Sequence, residues 1–390
     1  MGKLELEKKY EDQVLKCSRC GFCRTICPTF EAKDFLESYG ARGRMILLKA
    51  VDEGKIQLNQ IQSDQSLVDR IFTCTLCGAC METCPSKVDY IATMEAARAG
   101  LVKLGLAPPD FDEFGKMTLE KGNVLGQDNA RRMKWASKLD NIKVNEPAET
   151  LYFVGCNVMR PRVRPMATAA GKVLQAANVD FAVMGEDEWC CGLVFINTGH
   201  LDVAKEFAKH NIELIEKINP KRIVTICPGC AQAIQHYEHL VGWNPGDIQI
   251  IHAVEYIAEL LDQGKFTFTK EFNGGSKVAY HDPCELGRQM GVFDAPRKIL
   301  NAIPGLEWVE LENNKELSHC CGGGSGLQGI DTELAREVAN YRLKEVQDAG
   351  ADVLVTACPT CRSNFLDTIK QNNLAIKVMD IHEILAQALE

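Results

Sequence analysis

Cysteine carries the chemistry open to this chain. Its 18 cysteines form four groups: Cys17, Cys20, Cys23 and Cys27; Cys74, Cys77, Cys80 and Cys84; Cys156, Cys190, Cys191, Cys227 and Cys230; and Cys284, Cys320, Cys321, Cys358 and Cys361. None is left over. Thiolates are soft ligands for iron and zinc. A disulfide scaffold belongs to short secreted chains, whereas this one has 390 residues and starts MGKLELEKKYEDQ, without the apolar core of a signal peptide. Buried thiols used as small hydrophobes would show no spacing. Metal–sulfur chemistry is the expectation that remains.

Residues 17–28 read CSRCGFCRTICP and residues 74–85 read CTLCGACMETCP. Both fit C-x2-C-x2-C-x3-C-P, the run that holds paired [4Fe–4S] clusters; three close thiolates wrap three corners of a cube and the fourth serves the neighbouring cluster. The expected sets are Cys17, Cys20, Cys23 and Cys84 for a first cubane, and Cys74, Cys77, Cys80 and Cys27 for a second. Each fourth cysteine is expected at the helix start after its loop. Gly21 and Gly78 leave room where backbone approaches the sulfides, and Pro28 and Pro85 are expected to stop the local turn and keep water from the cluster edge. A four-thiolate zinc site is the alternative, but zinc is served by two CxxC pairs and has no use for this spacing.

The elements around these motifs read as helices. The 46 residues between them include EAKDFLESYGARGRMILLKAVDEGK, with helical periodicity at Met45, Leu47, Leu48 and Val51. After the second motif VDYIATMEAARAGLVKLGL also reads as helix, ending near Gly105 and Pro108-Pro109. This region resembles the helical ferredoxin domain of succinate dehydrogenase iron–sulfur subunits and of heterodisulfide reductase C subunits. Arg42 and Arg44, in ARGR, read first as an exposed charge run, with compensation of cluster charge as the alternative.

From residue 150 onward strands and helices alternate. TLYFVGC runs into Cys156 and KVAYHDPC into Cys284, while RIVTICPGC carries Cys227 and Cys230 and DVLVTACPTC carries Cys358 and Cys361. EWCCGLVF and HCCGGGSG add a Cys-Cys-Gly step to each half, ending at Gly192 and Gly322. Offsets of 128, 130 and 131 residues make the halves an internal duplication. LDVAKEFAKHNIELIEKI matches TELAREVANYRLKEVQDAG in place, and HAVEYIAELL matches DIHEILAQAL. Such alternation predicts parallel sheets with helical crossovers, whose strand C-termini are the ligand end. Cys156, Cys227, Cys284 and Cys358 fall just beyond strands. Five cysteines exceed the need of one cubane and an adjacent pair can bridge irons, so the spacing points to a non-cubane site in each half. A zinc or [2Fe–2S] site using four of the five stays open.

C-x33-CCG-x34-CPGC and C-x35-CCG-x35-CPTC resemble the paired CCG domains of heterodisulfide reductase B and D subunits, and a ferredoxin domain followed by a CCG pair is the D-subunit order. The resemblance covers nearly the whole chain. It implies an α+β multidomain protein: an N-terminal helical ferredoxin domain with two cubane clusters (1–145), then a duplicated α/β CCG domain pair (146–270 and 271–390). It further implies two [4Fe–4S] cubanes feeding electrons to two non-cubane [4Fe–4S] clusters that reductively cleave a disulfide. One such cluster takes Cys156, Cys190, Cys191, Cys227 and Cys230, with Gly192 beside it; the other takes Cys284, Cys320, Cys321, Cys358 and Cys361, with Gly322. The implied partners are redox subunits of flavoprotein, hydrogenase, ferredoxin or membrane-cytochrome type, and a disulfide small molecule. Iron–sulfur subunits of glycolate or D-lactate dehydrogenases, of anaerobic glycerol-3-phosphate dehydrogenase and of aromatic acyl-CoA reductase complexes are similar in order, and there the chain is an electron carrier. Two complete cysteine sets and the run CCGGGSG favour the heterodisulfide reductase type.

His281 in HDPC and His319 in HCC adjoin the second CCG site, where the first half has Phe153 and Trp189. Disulfide cleavage takes up two protons with two electrons, which makes both histidines candidate proton donors, with Asp282 orienting a ring. Hydrogen bonding to sulfur is the plainer role. His236, His239 and His252 read as surface or capping residues. Arg160, Arg162 and Arg164, in CNVMRPRVRP, are candidates for binding an anionic substrate or partner. Gly324, Gly326 and Gly329 fit G-x-G-x-x-G, but they follow cysteines rather than a strand, so they are expected to admit backbone to a cluster; no flavin is expected on this chain.

Lys+Arg 44 against Asp+Glu 53 gives a net charge of −9, which disfavours a nucleic-acid role. No apolar run approaches the ~18 residues of a membrane span. The expected protein is cytoplasmic, held to the inner face of the membrane only through a partner.

Overall fold

The computed structural model describes residues 8–108, 111–272 and 277–389; the first seven residues, and Pro109 at the expected end of the helix after the second motif, lie outside them. Both ferredoxin-type loops turn on a left-handed glycine, Gly21 at φ 92° and Gly78 at φ 76°, a conformation that costs other residues strain. Cys27 caps the helix Pro28–Ala32, with Pro28 at its first position, where a missing N–H costs nothing. Pro28 therefore starts a helix rather than stopping a turn. Cys84 lies in irregular chain beyond the short helix Ala79–Glu82, so only one of the two fourth cysteines stands at a helix start.

The helix Ala41–Asp52 buries Met45, Leu48 and Val51, the stripe its periodicity demands. It packs with Ile71 and Phe72 and with Met94, Ala97 and Leu101 of the helix Tyr90–Lys103. Asp89 caps that helix by accepting from the Ala92 N–H, and the chain leaves it at Gly105, φ 70°.

Two parallel sheets follow. Strands β1 (Lys143–Val144), β2 (Thr150–Phe153), β3 (Phe181–Val183), β4 (Arg222–Thr225) and β5 (Gln249–His252) form the first, in the order β1-β3-β2-β4-β5. Strands β6 (Val278–Tyr280), β7 (Trp308–Glu310), β8 (Val353–Thr356) and β9 (Lys377–Asp380) form the second, in the order β7-β6-β8-β9. Apart from the added edge strand β1 the order is the same, so the duplication is structural. The central pairs, with Leu151 beside Ile223 and Ala279 beside Leu354, end at the loops carrying Cys156 and Cys227, and Cys284 and Cys358.

The halves exchange helices. Ala253–Asp262, which follows the first sheet, packs on Asp294–Ala302 of the second half, and Ile381–Leu389, which follows the second sheet, packs on Arg164–Ala176 of the first. One apolar core results, with Leu174, Val224 and Ile257 meeting Tyr280, Leu300 and Leu385. The chain before residue 146 packs on the first sheet: β1 pairs with β3, and the buried Trp135 stands edge-on to Tyr152 at 5.3 Å. Among the described residues no helix is long and apolar enough to cross a membrane.

The ferredoxin-like region meets the first α/β unit at Gly199. Its φ is 80°, and a Cβ there would stand 2.4 Å from the backbone nitrogen of Ala99. Gly199→Ala should therefore cost about 1–3 kcal/mol, the usual range for overpacking, read as a lower thermal unfolding midpoint. An unchanged midpoint would show that this seam yields freely.

Candidate metal centres

The two ferredoxin-type groups differ in exposure. Cys20 is exposed and Cys17, Cys23 and Cys84 are half-buried, whereas Cys27, Cys74, Cys77 and Cys80 are all buried. These last four line one small cavity together with Arg44 and Tyr90. The segment carrying Cys84 runs beside that carrying Cys17, through a 3.2 Å bond from Ser86 Oγ to Ser18 Oγ and a 2.7 Å bond from Lys16 Nζ to the Lys87 carbonyl. Cys27 thus lies with Cys74, Cys77 and Cys80, and the Cys84 segment lies beside that of Cys17. ARGR splits in two: Arg42 grips Glu37 from the surface with two 2.7 Å bonds, while Arg44 is fully buried beside Cys27 and Cys74 and is no part of an exposed run.

All five cysteines of the first CCG group line a cavity of about 570 Å³. Cys156 Sγ lies 3.9 Å from Cys190 Sγ. A Cβ added at Gly155, φ 81°, would stand only 3.1 Å from Cys230 Sγ, so no side chain fits there. The opposite wall comes from the second half: Gly323, Gly324, Ser325 and Thr360. Glu285 also faces this cavity, and burial, reinforced by Cys227 and Cys320, pushes its carboxyl up to about 8. The loop before Cys156 is fixed by Glu188, which is buried, accepts from the Val154 and Gly155 N–H groups at 3.0 and 2.7 Å, and pairs with buried Arg132 at 2.9 Å. Backbone N–H groups reach sulfur at each Cys-Cys-Gly step: Gly192 to Cys190 at 3.4 Å, Gly322 to Cys320 at 3.3 Å and Gly323 to Cys321 at 3.3 Å.

In the second CCG group Cys284 adjoins Cys320, and Cys321 adjoins Cys361. A ring nitrogen of His281 lies within 4.8 Å of both Cys321 and Cys361 sulfurs. Arg342 Nε donates to His281 Nδ1 at 3.2 Å, so the proton sits on Nε2, which is buried without a protein partner. Burial, then Arg342, holds this imidazole well below the usual histidine range, and it is a neutral N–H donor rather than an acid. Asp282 orients neither histidine: Arg297 takes both its oxygens, at 2.7 and 3.0 Å. Glu345 faces His319 instead, at 3.0 Å from Nδ1. None of His281, Asp282 and His319 lines the cavity. Of the other histidines, His252 caps the helix Ala253–Asp262 as expected but is fully buried, while His236 and His239 are exposed.

These donor sets fit iron–sulfur clusters. Burial pushes the Cys80 and Cys361 thiols well up, so thiolates held here require bound cations. The unpartnered Nε2–H of His281 and the N–H groups aimed at Cys190, Cys320 and Cys321 are donors suited to cluster sulfur.

Comparison with known proteins agrees. Residues 13–88 match the 4Fe-4S dicluster domain family, and residues 150–235 and 278–366 match the cysteine-rich CCG domain family. The chain is 34% identical over 388 residues to the D-subunit of the dihydromethanophenazine:CoB–CoM heterodisulfide reductase of Methanosarcina mazei, covering 96% of this chain and 93% of that one. The chain belongs to the heterodisulfide reductase D-subunit family. It is also 27% identical over 385 residues to the B-subunit of the fumarate reductase (CoM/CoB) of Methanothermobacter marburgensis, covering 97% of this chain and 73% of that one. A hypothetical protein from Helicobacter pylori shares the fold, with a TM-score of 0.62 at 12% identity over 98% of this chain and 75% of that one.

In this family member the four cysteine groups form a continuous line. Cys23 approaches Cys27, Cys77 adjoins Cys320, and Cys227 adjoins Cys358. The order in space is first ferredoxin group, second ferredoxin group, second CCG group, first CCG group, and the cavity lies at the far end. Glu188, Arg132, Glu285 and Glu345 carry no motif in the sequence; only the position of Glu285, directly after Cys284, gave any signal. If Cys27 belongs with Cys74, Cys77 and Cys80, Cys27→Ala should disturb the iron signal assigned to that group and spare the one that Cys20→Ser disturbs. Loss at the Cys20 group instead would reverse the pairing.

Proposed function

We propose that the chain is the iron–sulfur subunit of a heterodisulfide-reductase-like complex, with two [4Fe–4S] cubanes at the ferredoxin-type groups and a non-cubane [4Fe–4S] cluster at each CCG group. The observation that carries this is the cavity of about 570 Å³ walled by all five cysteines of the first CCG group, in the volume range of small-molecule sites. A cluster would fill the part of this space against the cysteines; the part walled by Arg160, Asn157, Thr360 and Ser363 would take a small molecule, for which a pure electron carrier has no use. Cys20 is exposed at the opposite end, where a partner redox subunit supplies electrons.

When bound, the clusters supply electrons one at a time; reducing one disulfide to two thiols takes two electrons and two protons, the protons coming from water. The residues of the chain bind and orient. Arg160 lines the cavity and its Nε is buried without a partner, which suits an anionic substrate. Arg162 is already held by Asp367 and Ser363, and Arg164 bonds the Met159 carbonyl. Glu188 and Arg132 keep the Cys156 loop in place, and His281 donates its fixed N–H toward the second CCG group.

The test is anaerobic iron analysis with dye-driven reduction of anionic organic disulfides. The proposal expects about sixteen irons for four [4Fe–4S] clusters and two thiols formed per two electrons. About eight irons, with zinc in the remainder, would remove the CCG clusters; full iron with no disulfide turnover would leave an electron carrier. Arg160→Met should raise KM for an anionic disulfide by about 10- to 100-fold, the worth of a hydrogen bond to a charged group, with iron content unchanged.

A further inference from the structure

Three guanidinium groups surround the second ferredoxin-type group, and none pairs with a carboxylate among the described residues. Arg44, fully buried, donates to the Arg70 carbonyl at 2.5 Å and to the hydroxyls of Thr29 and Thr73 at 3.1 and 3.4 Å, and lines the cavity of Cys27, Cys74, Cys77 and Cys80. Arg98, also fully buried, donates to the carbonyls of Cys74, Ile71 and Phe72 at 2.6, 3.0 and 3.1 Å, and its other nitrogen holds the Asn197 carbonyl and Ser325 Oγ. Arg288, partly buried, donates to the Cys77 carbonyl at 2.7 Å and keeps a buried Nη2 without any partner. The carboxyl facing Arg98, Glu95 one turn earlier on the same helix, makes no ion pair with it, and burial holds it up to about 7.

A buried cation without a counter-charge is costly. Carbonyls and hydroxyls solvate these three but do not neutralise them; the thiols of Cys27 and Cys74 face Arg44, Cys74 also faces Arg98, and Cys77, together with Cys284 and Cys320 of the second CCG group, faces Arg288. Around the first group the arrangement is the reverse: Cys20 is exposed, and Glu37 already takes Arg42 at 2.7 Å and Arg24 at 3.4 Å. One-electron reduction adds a negative charge to a cluster, and net charge and solvent exposure set its potential. Water also stabilises added charge at the exposed first group. A buried guanidinium, however, acts at an effective dielectric of ~20, roughly fourfold more strongly per charge than in bulk water.

We infer that Arg44, Arg98 and Arg288 make the second cubane the more oxidising of the two, so that it holds an electron while the first cubane passes the next. This rests on the cubane assignment proposed above and adds the order of the potentials. Such a store matches one-electron delivery to two-electron chemistry.

The experiment is a redox titration of the intact protein followed by electron paramagnetic resonance, with no substrate present. Cys20→Ser marks the first cubane's signal and should alter the more reducing of the two. Arg98→Met should lower the reduced:oxidised ratio of the more oxidising cubane at the wild-type midpoint by at least ~tenfold, 59 mV for a one-electron couple, and Arg98→Lys, which keeps the charge, should stay within ~threefold. Arg288→Met, on the other side, carries the same expectation if Arg98→Met does not fold. Unmoved midpoints in the folded Met variants, or a Cys20→Ser effect on the more oxidising signal, would overturn the order of potentials while leaving the clusters in place. Wild-type protein with iron for fewer than two cubanes would overturn the cluster assignment as well, by a separate measurement.

Discussion

Burying a thiolate is costly, and burying several side by side is feasible only around a cation. The remainder of this structure answers that constraint. Gly21 and Gly78 turn the two ferredoxin-type loops at positive φ, and Gly155 brings backbone against Cys230 Sγ with no side chain between. Strands β2, β4, β6 and β8 end where Cys156, Cys227, Cys284 and Cys358 begin, so that rigid sheet rather than loop decides how far apart the sulfurs stand. Backbone N–H groups at Gly192, Gly322 and Gly323, and the arginines around Cys74 and Cys77, supply the positive ends of dipoles and full charges toward the metal sites.

The duplication supplies two such sites, and divergence gives them different surroundings. In the first half Trp189 stacks on His210 at 3.9 Å and stands edge-on to Phe207, packing the outer side of the Cys190–Cys191 step while its inner side opens to the cavity. In the second half the equivalent position is His319, facing Glu345, and the interior position is His281, facing Arg342. One site became a chamber and the other a closed junction between the second ferredoxin-type group and that chamber. The exchange of helices between the halves ties both sheets into a single core, so the separation of the two sites is set by packed side chains rather than by a linker.

Family membership fits this division of labour, since relatives with these domains are subunits of reductases named for different substrates. At the end of this chain's line of cysteine groups lies the chamber, furnished by Arg160, Glu285 and the loop Gly323–Ser325.

Much of this was legible in the sequence by itself. Candidate ligand positions are local chemistry: a cysteine every third residue around a glycine reads as a metal-binding loop whatever surrounds it, and a strand followed directly by CPxC places sulfur at a sheet end. The helices Leu201–Ile218 and Thr332–Asp348 match their periodic stretches for the same reason. Tertiary structure alone decided which half opens, that Arg44 is buried while Arg42 is not, that Asp282 belongs to Arg297 and Glu345 to His319, and that Arg98 reaches Ser325 across 227 residues. These are matters of counter-charge and free volume, and both depend on contacts between segments far apart in the chain, on which spacing along the sequence is silent.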